Sequence, residues 1–187
     1  MQFSRVVSFF VVVLTFGVFA LAVPAKRAAS PADIIPILTD LQTEILPILG
    51  QINSTVASGN ATSDSIAPLV GELVTDLSAA ASSLQGLSAK RSLETIEKRQ
   101  SDDDVATLVA SIIEDLTAAL DNLLGDAASI PDLGSLLAGV DTSLDQVLTG
   151  LETLLAGVLN LVANLLVDVA GLLESLALGL TLASLGL

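Results

Sequence analysis

An all-α fold is predicted for this 187-residue chain: amphipathic helices in a loose bundle, ending in a long Leu-rich C-terminal helix that bends near Gly150 or Gly171. Three observations predict it. Apolar residues recur at steps of three and four in every segment, the spacing that lines side chains along one helix face. β-branched residues form few runs of the kind that strands use. The chain has no cysteine, so in a secreted protein order has to come from helix packing and not from a disulfide framework.

The N-terminus reads as a signal peptide over residues 1–22. Met1 and all five Phe (Phe3, Phe9, Phe10, Phe16, Phe19) fall in the first nineteen residues. Arg5, the apolar run through Val11 to Leu14 and the small-residue pattern Ala20-Leu21-Ala22 supply the basic, apolar and cleavage regions. Residues 23–27 come next as a short pro-segment ending in Lys26-Arg27. The mature chain then lacks aromatic, Met, Cys and His residues, and Leu, Val, Ile and Ala must fill its core.

Residues 28–87 are expected to form a helical pair. In the first helix, near 33–50, Ile34, Leu38, Leu41, Ile45 and Leu49 share a face, with Asp40 and Glu44 on another. Pro36 suits an early turn, whereas Pro47 should kink or end the helix. From Gln51 to Asp64 the polarity rises, which reads as a loop. It carries two sequons, Asn53-Ser54-Thr55 and Asn60-Ala61-Thr62, so Asn53 and Asn60 are candidate N-glycan sites. The second helix, near 65–86, has the face Ile66, Val70, Leu73, Leu77, Ala80 and Leu84. Asp64 or Ser65 can cap it, and Pro68 sits in its first turn.

Residues 88–101 hold no sustained apolar face and read as an exposed, processed linker. A third helix, near 103–124, presents Val105, Leu108, Ile112, Leu116, Leu120 and Leu123. Asp102 to Asp104 at its start suit the helix dipole; they lack the alternating ligands and glycine of a calcium loop. Gly125 to Asp132, with Pro131, is a turn. The last helix is expected over 133–178, within an acidic Leu-rich region at 102–187, and twenty of the fifty-six residues from Asp132 to Leu187 are Leu. Its apolar face is Leu137, Val140, Leu144, Val147, Leu151, Leu154, Val158, Leu161 and Leu165. A second column, Leu159, Leu166, Leu173, Leu180 and Leu187, repeats every seven residues. Asp141, Asp145, Glu152, Asn160, Asn164, Asp168 and Glu174 make a thin polar stripe opposite. The pentapeptide Leu-Leu-Ala-Gly-Val occurs at Leu136 and again at Leu154, eighteen residues apart, which on one helix would face both copies the same way.

A helix this apolar needs a cover: other helices, its own copies, a membrane or an apolar surface outside the cell. A span is disfavoured, because the longest uncharged stretch before Asp168, Thr153 to Val167, covers about 22 Å against a hydrocarbon core of about 30 Å. The uncharged tail Ser175 to Leu187 lacks the polar spacer of a lipid-anchor signal.

Charge is distributed unusually. Apart from Arg5, every basic residue belongs to a Lys-Arg pair: Lys26-Arg27, Lys90-Arg91 and Lys98-Arg99. Such pairing reads as processing by a kexin-type protease of the secretory pathway. The products, Ala28 to Ala89 and Gln100 to Leu187, carry six and thirteen acids respectively and no base. Polyanions of this kind are not binders of nucleic acid or anionic lipid heads. At neutral pH their like charges oppose close packing of copies, and acid relieves that repulsion.

Catalysis is not expected. Only carboxylates and hydroxyls remain to perform it, adjacent acids such as Glu114-Asp115 splay around a helix, and there is no phosphate loop or zinc spacing. No cofactor and no metal are implied.

The signal peptide, Lys-Arg pairs, missing cysteines, more polar N-terminal half and Leu-rich end together resemble a group of small secreted proteins of mushroom-forming fungi. That resemblance implies action beside hydrophobins in aerial hypha formation and attachment to hydrophobic surfaces. The implied partners are hydrophobic surfaces, cell-wall or matrix components and other copies of the chain. A second reading stays open, in which the chain is a precursor and cleavage at both internal pairs releases the peptide Ser92 to Arg99.

Overall fold

A computed structural model of the chain describes residues 31–88 and 99–187. The expected signal peptide, the pro-segment and most of the expected linker lie outside the described residues. Among those described there are seven α-helices and no strands, so the all-α fold holds.

The helix α1 (Pro31–Ala57) runs through both prolines and seven residues past its expected end. This corrects the helix end expected near Pro47. A proline inside a helix costs about 3 kcal/mol, but Ile45, Ile48, Leu49 and Ile52 on either side are all buried. At about 1.5–3 kcal/mol each, their burial outweighs the lost bond.

A Schellman turn then closes α1. Gly59 is in the left-handed region at φ 69°, with its N–H donating to Val56 O at 2.9 Å and that of Asn60 to Thr55 O at 3.1 Å. The next helix, α2 (Ser63–Ser88), takes its cap from Thr62 and not from Asp64 or Ser65. Thr62 O accepts from the Ser65 and Ile66 amides, and Ser65 Oγ reaches back to accept from the Thr62 N–H at 3.0 Å, the return half of a capping box.

The remaining long helices are α3 (Arg99–Leu124) and α4 (Leu133–Leu154), joined through a short 3-10 turn at Ala127–Ser129. Arg99 to Ser101, expected in the linker, form the first turn of α3. The two hairpins lie side by side in register. Gln42 Nε2 of α1 donates to Ser111 Oγ of α3 at 3.4 Å, and Asn53 of α1 pairs with Asn122 of α3. Likewise Ser78 of α2 meets Ser143 of α4 at 3.2 Å. The α1–α3 contacts advance together along both helices, so α1 runs parallel to α3, and α2 runs parallel to α4 in the same way. Arg99 is the only base among the described residues, so apolar packing and these small polar contacts set the register.

The expected helix over 133–178 is instead four: α4, α5 (Val158–Leu165), α6 (Ala170–Ser175) and α7 (Gly179–Leu185). A straight helix over that range would be about 69 Å long at 1.5 Å per residue, whereas α2, its partner, spans about 39 Å. Its far half would have nothing to lie against. The first break comes at Gly157, φ 90°, and not at Gly150 or Gly171. Gly150 is buried inside α4, where an added Cβ would come within 3.3 Å of Leu84 Cβ; it permits the close approach of α2. Gly171 lies within α6, after the second break.

In cross-section α1 packs on α2 and α3, and α2 on α4. The helices α3 and α4, by contrast, make no extensive contact. The three short helices take the space between them, α5 and α6 against α3, α5 and α7 against α4. Buried side chains from every helix join in one hydrophobic core.

Candidate functional site

The apolar column expected on the last helix is mostly core. Leu137, Val140, Leu144, Val147, Leu151, Leu154 and Val158 are buried, Leu161 is half-buried, and Leu165 is 49% exposed. In the second column Leu159, Leu166 and Leu173 are buried while Leu180 and Leu187 are exposed. Along α4 the column is buried where that helix packs on α2, and beyond it Val158, Leu159, Leu166 and Leu173 are buried on short helices and breaks that pack against α3 and α4, which is why a face continuous in sequence is not a surface.

The apolar residues left on the outside are concentrated. Of the six large apolar side chains exposed among the described residues, five lie in the last twenty-three positions: Leu165, Val167, Leu172, Leu180 and Leu187; the sixth is Leu46. The short helices carrying them touch one another, α7 packing on both α5 and α6. Val167 and Leu172 belong to neither expected column. Val167 lies in the break between α5 and α6, and Leu172 lies on α6. Beside this segment, where the α3–α4 connection meets the α6–α7 junction, is an open hollow of about 340 Å³ lined by Leu124, Ile130, Pro131, Leu137, Leu176 and Ala177 among others.

The polar stripe also has a different use from the one its position suggests. Asp141, expected on the solvated side, is 5% exposed. Its Oδ1 accepts from the Thr181 N–H at 2.9 Å and the Thr181 hydroxyl at 2.8 Å, and its Oδ2 accepts from the Leu180 N–H at 3.0 Å. One turn on, Asp145 accepts from the Ser184 hydroxyl. Glu152 reaches over the first break, with Oε1 accepting from the Gly157 N–H at 2.9 Å and Oε2 from the Leu159 N–H at 3.4 Å. Three carboxylates of α4 thus hold α5 at its start and α7 along one face. A signal existed in the tail: Thr181 and Ser184 are three apart, one helix face, and match the four-residue spacing of Asp141 and Asp145. Asn160, Asn164, Asp168 and Glu174 are exposed as expected.

The sequons divide. Asn60 stands in the connection between α1 and α2, exposed, with its Nδ2 donating to Ser58 Oγ at 3.2 Å. Asn53, expected on the same loop, is inside α1, exposed, and its Oδ1 accepts from Asn122 Nδ2 at 2.9 Å. Of the processing residues, Lys26, Arg27, Lys90, Arg91 and Lys98 lie outside the described residues, and Arg99 opens α3. Glu114 and Asp115 lie on α3, and no group of three or more acids among the described residues is placed to hold a metal ion. No helix among the described residues is long and apolar enough to cross a membrane.

No family model and no curated protein matches this chain.

Proposed function

We propose that the protein is a secreted, non-enzymatic, surface-active component of a fungal cell wall or extracellular matrix that aids aerial hyphae and attachment to hydrophobic surfaces. The observation that carries this reading is the gathering of Leu165, Val167, Leu172, Leu180 and Leu187 on the outside of one terminal segment. Single apolar residues are ordinary on protein surfaces, but five of the six exposed among the described residues fall within the last twenty-three positions, which favours this segment as the place of contact. The acidic remainder of the surface supports solubility before contact, with a formal net charge of −14 for the chain. Partners are then hydrophobic surfaces, wall or matrix material and further copies of the chain. Glycan at Asn60, on the α1–α2 connection, suits a secreted coat protein.

The test compares adsorption from dilute buffer onto alkyl-coated glass. The wild type should coat the surface, and a variant with all five exposed residues changed to Ser should lose most of that coating while keeping its helical circular dichroism. Adsorption of the wild type no greater than that of an ordinary acidic helical protein would defeat the proposal. Replacing the sequence-derived face at Leu154, Val158, Leu161 and Leu165 is a poorer control, because Leu154 and Val158 are core and the variant would unfold.

A further inference from the structure

We infer that α7 is a releasable strap, held against α4 by Asp141 and Asp145, whose detachment is the step that lets the bundle open onto an apolar surface. The inference rests on the surface-active reading and concerns how the same segment is regulated.

Four observations converge on it. First, a local polar grip adds to the apolar anchoring of α7 by Leu178 and Leu185. Asp141 receives three hydrogen bonds from the first turn of α7, and Asp145 a fourth from Ser184, so two residues one turn apart on α4 grip one face of α7. Second, the strap itself is weak. With seven residues it is well below the length at which a helix persists alone, and the exposed side chains Leu180 and Leu187 on and just beyond it are apolar. Third, its hinge is strained. Ala177, at φ 56°, is the only non-glycine residue with positive φ among those described. It occupies the left-handed position of a Schellman turn, with Ala177 N–H donating to Glu174 O and Leu178 N–H to Leu173 O. Gly59 and Gly186 fill the matching position elsewhere, and an alanine there opposes the native turn. Fourth, the strap is part of the insert that separates α3 from α4, and the open hollow borders its hinge. Once α7 swings away, α5 and α6 lose a shared neighbour, and the apolar faces of α3 and α4 become the next surface available.

Hydrogen exchange and adsorption, measured on the full secreted chain, separate the strap from the wider reading. Asp141→Asn removes the charge and places an amide NH2 among N–H donors. Amides of residues 179–187 should then exchange at least about tenfold faster, while α1 and α2 keep their protection, and adsorption to alkyl-coated glass should quicken severalfold. Thr181→Val, which keeps the shape and removes one hydroxyl bond, should shift both in the same direction by less. A disulfide joining Asp145→Cys to Ser184→Cys should slow adsorption when oxidised and restore it on reduction. Unchanged exchange at 179–187 in Asp141→Asn would overturn the latch. Faster exchange with no change in adsorption, together with an oxidised disulfide that adsorbs like the wild type, would overturn its role in opening. Failure of every form to adsorb, with the exchange changes present, would instead count against the surface-active reading; α7 would then be a structural clasp only, and its role as a releasable strap would be overturned as well.

Discussion

The two hairpins of this protein are built from similar helices, yet one closes and the other does not. Between α1 and α2 the connection is five residues, a Schellman turn leads into a capping box, and the helices pack directly on each other. Between α3 and α4 the connection is eight residues, and the helices stand apart with α5, α6 and α7 between them. The hairpins match helix for helix, so the difference does not come from register. It comes from the thirty-three residues of Leu-rich chain after α4, which no neighbouring helix is long enough to cover. An apolar segment without a partner folds back into the nearest apolar space.

The same contrast appears in miniature in the repeated pentapeptide. At Leu136 to Val140 it is plain helix, with Gly139 near Val74 across the α2–α4 contact. At Leu154 to Val158 it is a chain break, with Gly157 left-handed. Register explains the change. Val74 meets Gly139 and Leu84 meets Gly150, so α2, which ends at Ser88, runs out where α4 stops at Leu154. Glu152 then supplies the cap for the break, and the residue at its position in the first copy is Gly134, which has no side chain to do so.

The largest expected effect that sharpens this contrast is at the first Leu of each copy. Leu154→Ala should lower the unfolding free energy by about 2–5 kcal/mol, since the side chain is in the core. Leu136→Ala, at a half-buried site, should cost roughly 1 kcal/mol. Denaturant midpoints at constant slope would measure both, and equal losses would show that the two copies share one environment.

Next come the glycines. Gly157→Ala should lose about 1–2 kcal/mol, the cost of a left-handed alanine. Gly139→Ala should gain about 0.5–1 kcal/mol, because its Cβ makes only ordinary contact with Val74 and the helix favours alanine. A thermal midpoint that falls for Gly139→Ala and rises for Gly157→Ala would reverse the assignment.

Around 1 kcal/mol is expected at two further places. Glu152→Ala leaves the Gly157 and Leu159 amides without their acceptor and should destabilise by about that amount. Ala177→Gly should stabilise by a similar amount by relieving the left-handed alanine, and a loss of stability there would mean that the turn carries no strain. The smallest effect concerns Gly134→Glu, which places in the first copy the carboxylate that caps the second. Gly139 should remain helical, with the change in stability within about 0.5 kcal/mol, and helical content by circular dichroism unchanged. A break at Gly139 would show that the acid, and not the end of α2, decides where the chain turns.

Much of the fold was legible in the amino-acid order. The apolar steps of three and four located the cores of α1 to α4, because they report which side of a helix water leaves, and that is settled within a few turns of chain. Their buried faces are the ones the spacing marked, from Ile34 to Leu49 in α1 and from Ile66 to Leu84 in α2. Local signals misled at Pro47 and at Asn53, where burial beyond the break outweighed a proline and carried the helix through an apparent loop. The tertiary structure alone decided the fate of the C-terminal third. Helix or turn at Leu154 to Val158 could not be read from a pentapeptide that occurs twice, since the same five residues are helical where α2 lies alongside and broken where it has ended. The matching spacings of Asp141 with Asp145 and of Thr181 with Ser184 made their pairing possible, but only the folding back of the tail brought them together across forty and thirty-nine residues. Periodicity tells which residues leave water; the lengths of neighbouring helices determine where, and against what, they go.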